Sequence, residues 1–167
     1  MIPQHTVGYV TGRDRATLSA LEEETWTLMF FSDKSLKESR QENEKLIIVG
    51  PERGRKKAEF KIMSAIESKS PGHYINGSER DRFYNDDALL GTSLVKMNEG
   101  QFTYALGRHG MTRRKLEIAS GAILEYVGFT AFIGGSKYER RRAKEYLLWL
   151  LDQKDGKVVV DTRGRCE

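Results

Sequence analysis

The sequence predicts an α+β protein built from two copies of one unit, and three observations carry that prediction. The stretch beginning at Thr6 aligns with the stretch beginning at Gln101 at a constant offset of 95, pairing Tyr9 with Tyr104, Gly12 with Gly107, Arg13 with Arg108, Thr17 with Thr112, Leu21 with Leu116, Thr25 with Ser120 and Met29 with Leu124. Further on, LIIVGPERGRKKAEFKIMSAIE aligns with AFIGGSKYERRRAKEYLLWLLD at an offset of 85, with Ala58 and Ala143 as the firm anchor. Inside each copy the hydrophobic period passes from that of a helix to that of strands and back to that of a helix.

The elements follow in the same order in both copies. A tight glycine-containing turn leads into a helix, ATLSALEEET or MTRRKLEIAS, with Leu18 and Leu21 as its apolar residues in one copy and Leu116 and Ile118 in the other. Two strands follow, WTLMFFS then KLIIVG in the first copy and AILEYVG then TAFIGG in the second, rich in β-branched and aromatic residues. The fall in offset from 95 to 85 leaves about ten extra residues between the first copy's strands, supplied by the polar SDKSLKESRQENEK, which reads as a loop. A long amphipathic helix closes each copy. Over residues 51–68 it starts with Pro51 and offers Ala58, Phe60, Ile62, Met63 and Ile66 for burial; over 137–152 it offers Ala143, Tyr146, Leu147, Trp149 and Leu150. Between the copies, turn residues and weak periodicity mark a linker in which Tyr74, Ile75, Phe83 and Tyr84 are free to pack on either side.

Composition narrows the function. The chain has 167 residues, 38% of them hydrophobic and 31% charged, enough apolar material for a core. No run of 18 apolar residues and no signal-peptide pattern occurs, so the expectation is a soluble intracellular protein with no membrane partner. Cys166 is the one cysteine and His5, His73 and His109 are far apart, so neither a disulfide, a metal site nor a cofactor is expected. The net charge of +4 is unevenly placed: residues 1–100 carry 15 basic and 16 acidic side chains, residues 101–167 carry 13 and 8. The second copy therefore holds the positive field, which points to an anionic partner or simply to a solvated face. No GxxxxGK[ST], no strand-GxGxxG-helix unit and no Ser-His-Asp or Cys-His spacing is present, so the expectation is a non-enzyme. Glu22, Glu23 and Glu24 read as a solvated helix face, and the basic runs at 53–57 and 140–144 as solvated or phosphate-facing surface.

The residues VGYVTGRDRATLSALEEETW and FTYALGRHGMTRRKLEIASGA resemble the K-homology RNA-binding domain of eukaryotic type, whose signature is a GxxG loop followed by a helix with fixed apolar positions. The resemblance implies βααββα units, each a three-stranded antiparallel sheet packed on three helices: a first domain over 1–68, a linker over 69–91, a second domain over 92–153 and a tail over 154–167. It also implies binding of single-stranded RNA, with single-stranded DNA as second choice, since such a loop holds about four nucleotides of backbone while the bases are read on their edges. Carried onto this sequence, the clamp is Gly107, Arg108, His109 and Gly110, with Arg113 and Arg114 beside it; the groove floor is Tyr104, Ala105, Leu106, Leu124 and Tyr126. The other reading of these glycines is a mere helix-helix turn. In the first copy the loop is Gly12-Arg13-Asp14-Arg15: Gly12 and Arg13 remain, but the last glycine is missing and Asp14 places a negative charge near the phosphate position. That copy is either a degenerate, structural or protein-binding unit, or a weak binder. A rival for the whole chain is a protein-interaction scaffold using the apolar groove or a sheet edge, with a protein partner or self-association. Finally, the first copy has few residues for an opening strand, whereas KVVVDTRGRCE reads as a strand at 158–161, which either opens a further repeat or pairs with the first copy's open sheet edge.

Overall fold

The computed structural model of the chain describes residues 1–32 and 43–156. Two compact units divide it: Met1–Phe83 with Glu125–Gly128, and Tyr84–Leu124 with the described residues from Phe129 onward. The stretch read as a linker over 69–91 is thus shared out between them, and the expected tail strand at 158–161 lies outside the described residues.

In the first unit, β1 (Ile2–Pro3) is followed by α1 (Gln4–Thr11), a single 3-10 turn, α2 (Ala16–Thr25), β2 (Leu28–Phe31), β3 (Asn43–Glu44), β4 (Leu46–Val49), α3 (Glu52–Lys69) and the short α4 (Glu79–Phe83). Instead of one three-stranded sheet there are two antiparallel ladders, β1 on β3 and β2 on β4, separated at Lys45. The cause is local. Pro3 fixes φ and carries no N–H, and helix α1 starts at the next residue, so β1 reaches only Asn43 and Glu44. Asn43 and Glu44, read from sequence as loop, are therefore strand, while the expected loop residues 33–42 lie outside the described residues. Strand β2 shows the period of two, with Met29 fully buried between exposed Leu28 and Phe30. Val10, Leu18, Met29, Ala58, Ile62 and Ile66 form the core with Ile2, and Tyr74 packs against it. All five residues expected on the inner side of α3 are buried.

The second unit runs β5 (Gly91–Lys96), α5 (Glu99–Leu106), a 3-10 turn, α6 (Met111–Ser120), β6 (Ile123–Val127, whose residues from Glu125 on group with the first unit), β7 (Thr130–Gly135) and α7 (Lys137–Lys154), with sheet order β5-β7-β6. Capping boxes start both α5 and α7: Asn98 with Gln101, and Ser136 with Glu139. Helix α7 buries Arg140, Ala143, Leu147 and Leu151, one stripe at spacings of three and four. Tyr146 and Trp149, expected inside, are 39% and 51% exposed, because they stand about 100° and 200° from Leu147 around the helix. Ile118 is likewise exposed, at 73%, while Leu116 is half-buried.

Two buried charges hold the segment between the copies. The Glu67 carboxylate on α3 accepts the main-chain N–H of Gly72 at 2.6 Å, of Tyr74 at 2.8 Å and of Ile75 at 3.4 Å. Burial, then the negative charge of Glu59 and Glu67, pushes the Tyr74 hydroxyl up to about 12. On the other side, Arg140 donates to the carbonyls of Asp87 and Gly135 at 2.7 and 3.0 Å and pairs with Asp86 at 2.9 Å. A side chain on Gly91 would fall on the Arg140 guanidinium, so the strand start needs glycine. Arg140, part of a run expected to be solvated, is therefore an internal anchor; its repeat partner Arg55 likewise donates to Gly50, the counterpart of Gly135.

Glu67→Gln keeps the shape of the side chain but turns an NH2 or a single weaker acceptor toward three donors. We expect it to lower unfolding free energy by about 1–3 kcal/mol in denaturant titration, and an unchanged midpoint would remove Glu67 as the anchor of residues 72–75.

Candidate nucleic-acid interface

The loops joining the first two helices of each unit share one backbone conformation despite different sequences. Gly107 ends α5 at φ 69° and ψ 175°, its N–H bonded to the Thr103 carbonyl at 3.1 Å. His109 follows at φ 51° and ψ 31°, then Gly110 at φ 73° and ψ 13°, before α6 begins. In the first unit Gly12 stands at φ 72° and ψ 173°, Asp14 at φ 50° and ψ 34°, and Arg15 at φ 65° and ψ 11°. Three of four loop residues are left-handed in both, and in the first unit an arginine accepts the conformation glycine favours, at a cost of about 1–2 kcal/mol.

The two glycines of the intact loop serve different ends. A Cβ on Gly107 would overlap the Thr112 hydroxyl, and a Cβ on Gly12 would overlap that of Thr17, so the first glycine lets the two helices meet. Around Gly110 the nearest atom to a Cβ is Leu106 Cδ1, at 4.0 Å. Space in front of that residue is open. Arg108 and His109 are exposed, as are Arg114 and Lys115 on the first turns of α6. In the first unit Arg13, Asp14 and Arg15 are exposed at the same loop.

The residues expected as groove floor separate by depth. Tyr104 is 41% exposed and Leu106 half-buried, whereas Ala105, Leu124 and Tyr126 are buried, with at most 4% of their surface accessible. Ala105, Leu124 and Tyr126 are thus core residues and offer no open surface; β6 is buried on both faces, with Ile123 and Val127 buried as well, and Tyr126 groups with the first unit. Arg113 is not a free cation: its Nη1 donates to the Leu124 carbonyl at 2.6 Å and lies 3.8 Å from Glu117. Only Arg114 of the pair after the loop presents a solvated charge.

Sequence reading missed two arrangements. Glu22, taken as part of a solvated face, accepts the Met29 N–H at 2.7 Å and pairs with Arg15 at 3.2 Å. Glu24 bridges Lys61 at 3.1 Å and Lys57 at 3.4 Å, tying α2 to α3. Burial raises the Glu24 carboxyl, but its hydrogen bond to Lys61 and the charges of Lys61 and Lys57 outweigh that and hold it below the usual carboxylate range. For Glu22 the signal was in the repeat, because Glu22 and Met29 recur at the same spacing as Glu117 and Leu124.

Among the described residues no cluster of three or more His, Cys, Asp or Glu is placed to hold a metal ion, and no helix is long and apolar enough to cross a membrane. No family model matches the chain, and no curated protein matches it. Among solved structures it is similar to Dim2p from Pyrococcus horikoshii, at 18% identity over 90% of this chain and 87% of that one, with a TM-score of 0.42. The chain matched in an a/eIF2alpha-aDim2p-rRNA complex of the same organism gives 18% identity over 94% and 92%, TM-score 0.42. The first K-homology type I domain of human Vigilin gives 14% identity over 44% and 83%, TM-score 0.37.

The different work of the two glycines has a measurable consequence. Gly107→Ala adds overlap with Thr112 to a strained φ, and we expect a loss of about 2–5 kcal/mol from these two terms. Gly110→Ala carries the backbone term alone, about 1–2 kcal/mol. Equal losses for the two in chemical unfolding would contradict the packing role given to Gly107.

Proposed function

We propose that the chain binds single-stranded nucleic acid, RNA in preference to DNA, as a tandem K-homology module whose second unit carries the main site. The observation that carries this reading is the Gly107–Gly110 turn: a left-handed backbone with Arg108 and His109 exposed and open space before Gly110. A loop of this shape offers main-chain N–H groups at the start of α6 to a phosphate, and the absent side chain at Gly110 lets the phosphate approach them. Arg108 supplies a planar cation for phosphate or for stacking on a base; His109 adds a donor. Arg114 and Lys115 extend the positive field along α6.

Beside the loop, half-exposed Tyr104 provides an aromatic face and half-buried Leu106 an apolar one. Bases that are unpaired can lie there; a duplex would keep its edges hidden. The preference for RNA comes from the sequence resemblance. In this reading the protein has no catalytic role and needs no cofactor, since its work is done by positioned donors and an apolar surface.

A second reading, a protein-interaction scaffold, is favoured for the first unit by one observation. Trp26, Leu28, Phe30 and Val49 are 83%, 58%, 40% and 51% exposed, and Leu28 is the register partner of Val49, so the outer face of the β2–β4 ladder is apolar.

The test is a charge reversal at the clamp. Fluorescence anisotropy with random single-stranded RNA is expected to show a log-log salt slope of about −0.7 per phosphate contact for the parent. Arg108→Asp with His109→Asp should weaken binding by roughly 100-fold or more, as two lost charge-assisted contacts imply, with thermal stability unchanged because both residues are exposed. Equal affinity and slope in the double variant would refute the assignment, and no binding by the parent at low salt would favour the scaffold.

A further inference from the structure

The two units place a guanidinium at the same main-chain carbonyl, from different starting points. In the second unit Arg113 Nη1 donates to the Leu124 carbonyl on β6 at 2.6 Å, with Glu117 3.8 Å away. In the first, Arg15 Nη2 donates to the carbonyl of Met29 at 3.1 Å and to Glu22 Oε1 at 3.2 Å. Met29 and Glu22 are the repeat partners of Leu124 and Glu117. The position of Arg113 is taken in the first unit by Leu18, which is fully buried, and the position of Arg15 is taken in the second by Gly110.

The origin of the side chain decides what it covers. Arg113 leaves α6 one turn beyond the loop, so Gly110 stays bare, with open space around it. Arg15 leaves the loop itself and ends on β2, so its side chain bridges the two walls between which a single strand would lie. Glu22 fixes the bridge. Its Oε1 also accepts the Met29 N–H at 2.7 Å, so both main-chain groups of Met29 that face away from β4 are engaged.

We propose that Arg15 straps the first unit shut, and that this residue, rather than the negative charge of Asp14, decides that single strands bind to the second unit and not the first. The proposal rests on the reading of the second unit's loop given above. Both residues are exposed, but salt screens the charge of Asp14, whereas the Arg15 guanidinium is held by two acceptors and ties the loop to β2.

The experiment uses the full chain with the second clamp disabled by Arg108→Asp and His109→Asp, probed with labelled random single-stranded RNA in anisotropy. Adding Arg15→Gly should restore binding, about tenfold or more above the disabled chain, and adding Asp14→Gly should restore less than about twofold. Recovery by Asp14→Gly without recovery by Arg15→Gly overturns the strap, and so does an absence of recovery in both while the parent binds. A parent that binds no RNA overturns the nucleic-acid reading and the strap together. Arg15→Asn, which tolerates a left-handed backbone but cannot reach Met29, is the second variant. Should both Arg15 variants fail to fold by circular dichroism, the residue is structural only and the strap is likewise overturned.

Discussion

The turn between the first two helices of each unit is the constraint on which the rest depends. Three left-handed residues in four reverse the chain so tightly that the first loop residue sits against the threonine five positions on, Thr17 or Thr112. Glycine is required there by contact, not merely by dihedral preference. Once the two helices are held together, their shared inner side can receive the closing helix and the strands: Val10 from α1, Leu18 from α2, Met29 from β2 and Ala58, Ile62 and Ile66 from α3 meet in one core. The same reversal leaves Arg108 and His109, or Arg13 and Asp14, at the outside of the bend. Packing and presentation of charge thus come from a single piece of backbone geometry.

Much of this was legible in the sequence because the repeat doubles every signal. The helices ATLSALEEET and MTRRKLEIAS begin and end where they were read, and the strands around Met29 and Leu124 follow. What sequence could not give was phase on the closing helix of the second unit. Tyr146, Leu147, Trp149 and Leu150 are all apolar, and only the partner surface decides that Leu147 and Leu151 go inside. Loop conformation was also hidden. A missing glycine reads as a broken motif, yet Arg15 at φ 65° keeps the bend that Gly110 makes at φ 73°.

Charged residues were the other blind spot, because a charge run reads as solvent face by default. Arg140 among 140–144 and Glu67 at the end of α3 are buried at 2% and 5% exposure and bind main-chain groups of the segment between the copies. Such groups stay charged when buried if partners stand close by, and irregular backbone supplies them in quantity, although Arg140 Nε is left buried without one. Glu67 meets three N–H donors and Arg140 two carbonyls and a carboxylate. The sequence sign of this arrangement is weak: an acidic or basic residue next to a Gly-rich or Asn/Asp-rich turn.

The difference between the two loops is better understood as a coupled exchange than as decay. An edge-strand carbonyl on the inner side of α2 or α6 wants a donor, and leaving such a group buried without one costs about 1–3 kcal/mol. The second unit meets the need from the helix, through Arg113, and keeps a bare glycine in the loop. The first unit has Leu18 at that helix position, completely buried in its core, so the donor must come from elsewhere. The loop's last residue is within reach, and a left-handed arginine there costs about 1–2 kcal/mol, roughly what its hydrogen bonds to Met29 and Glu22 return. Leucine at 18 and arginine at 15 therefore belong together, as do arginine at 113 and glycine at 110. Each pairing satisfies the strand, and only the second leaves the loop open.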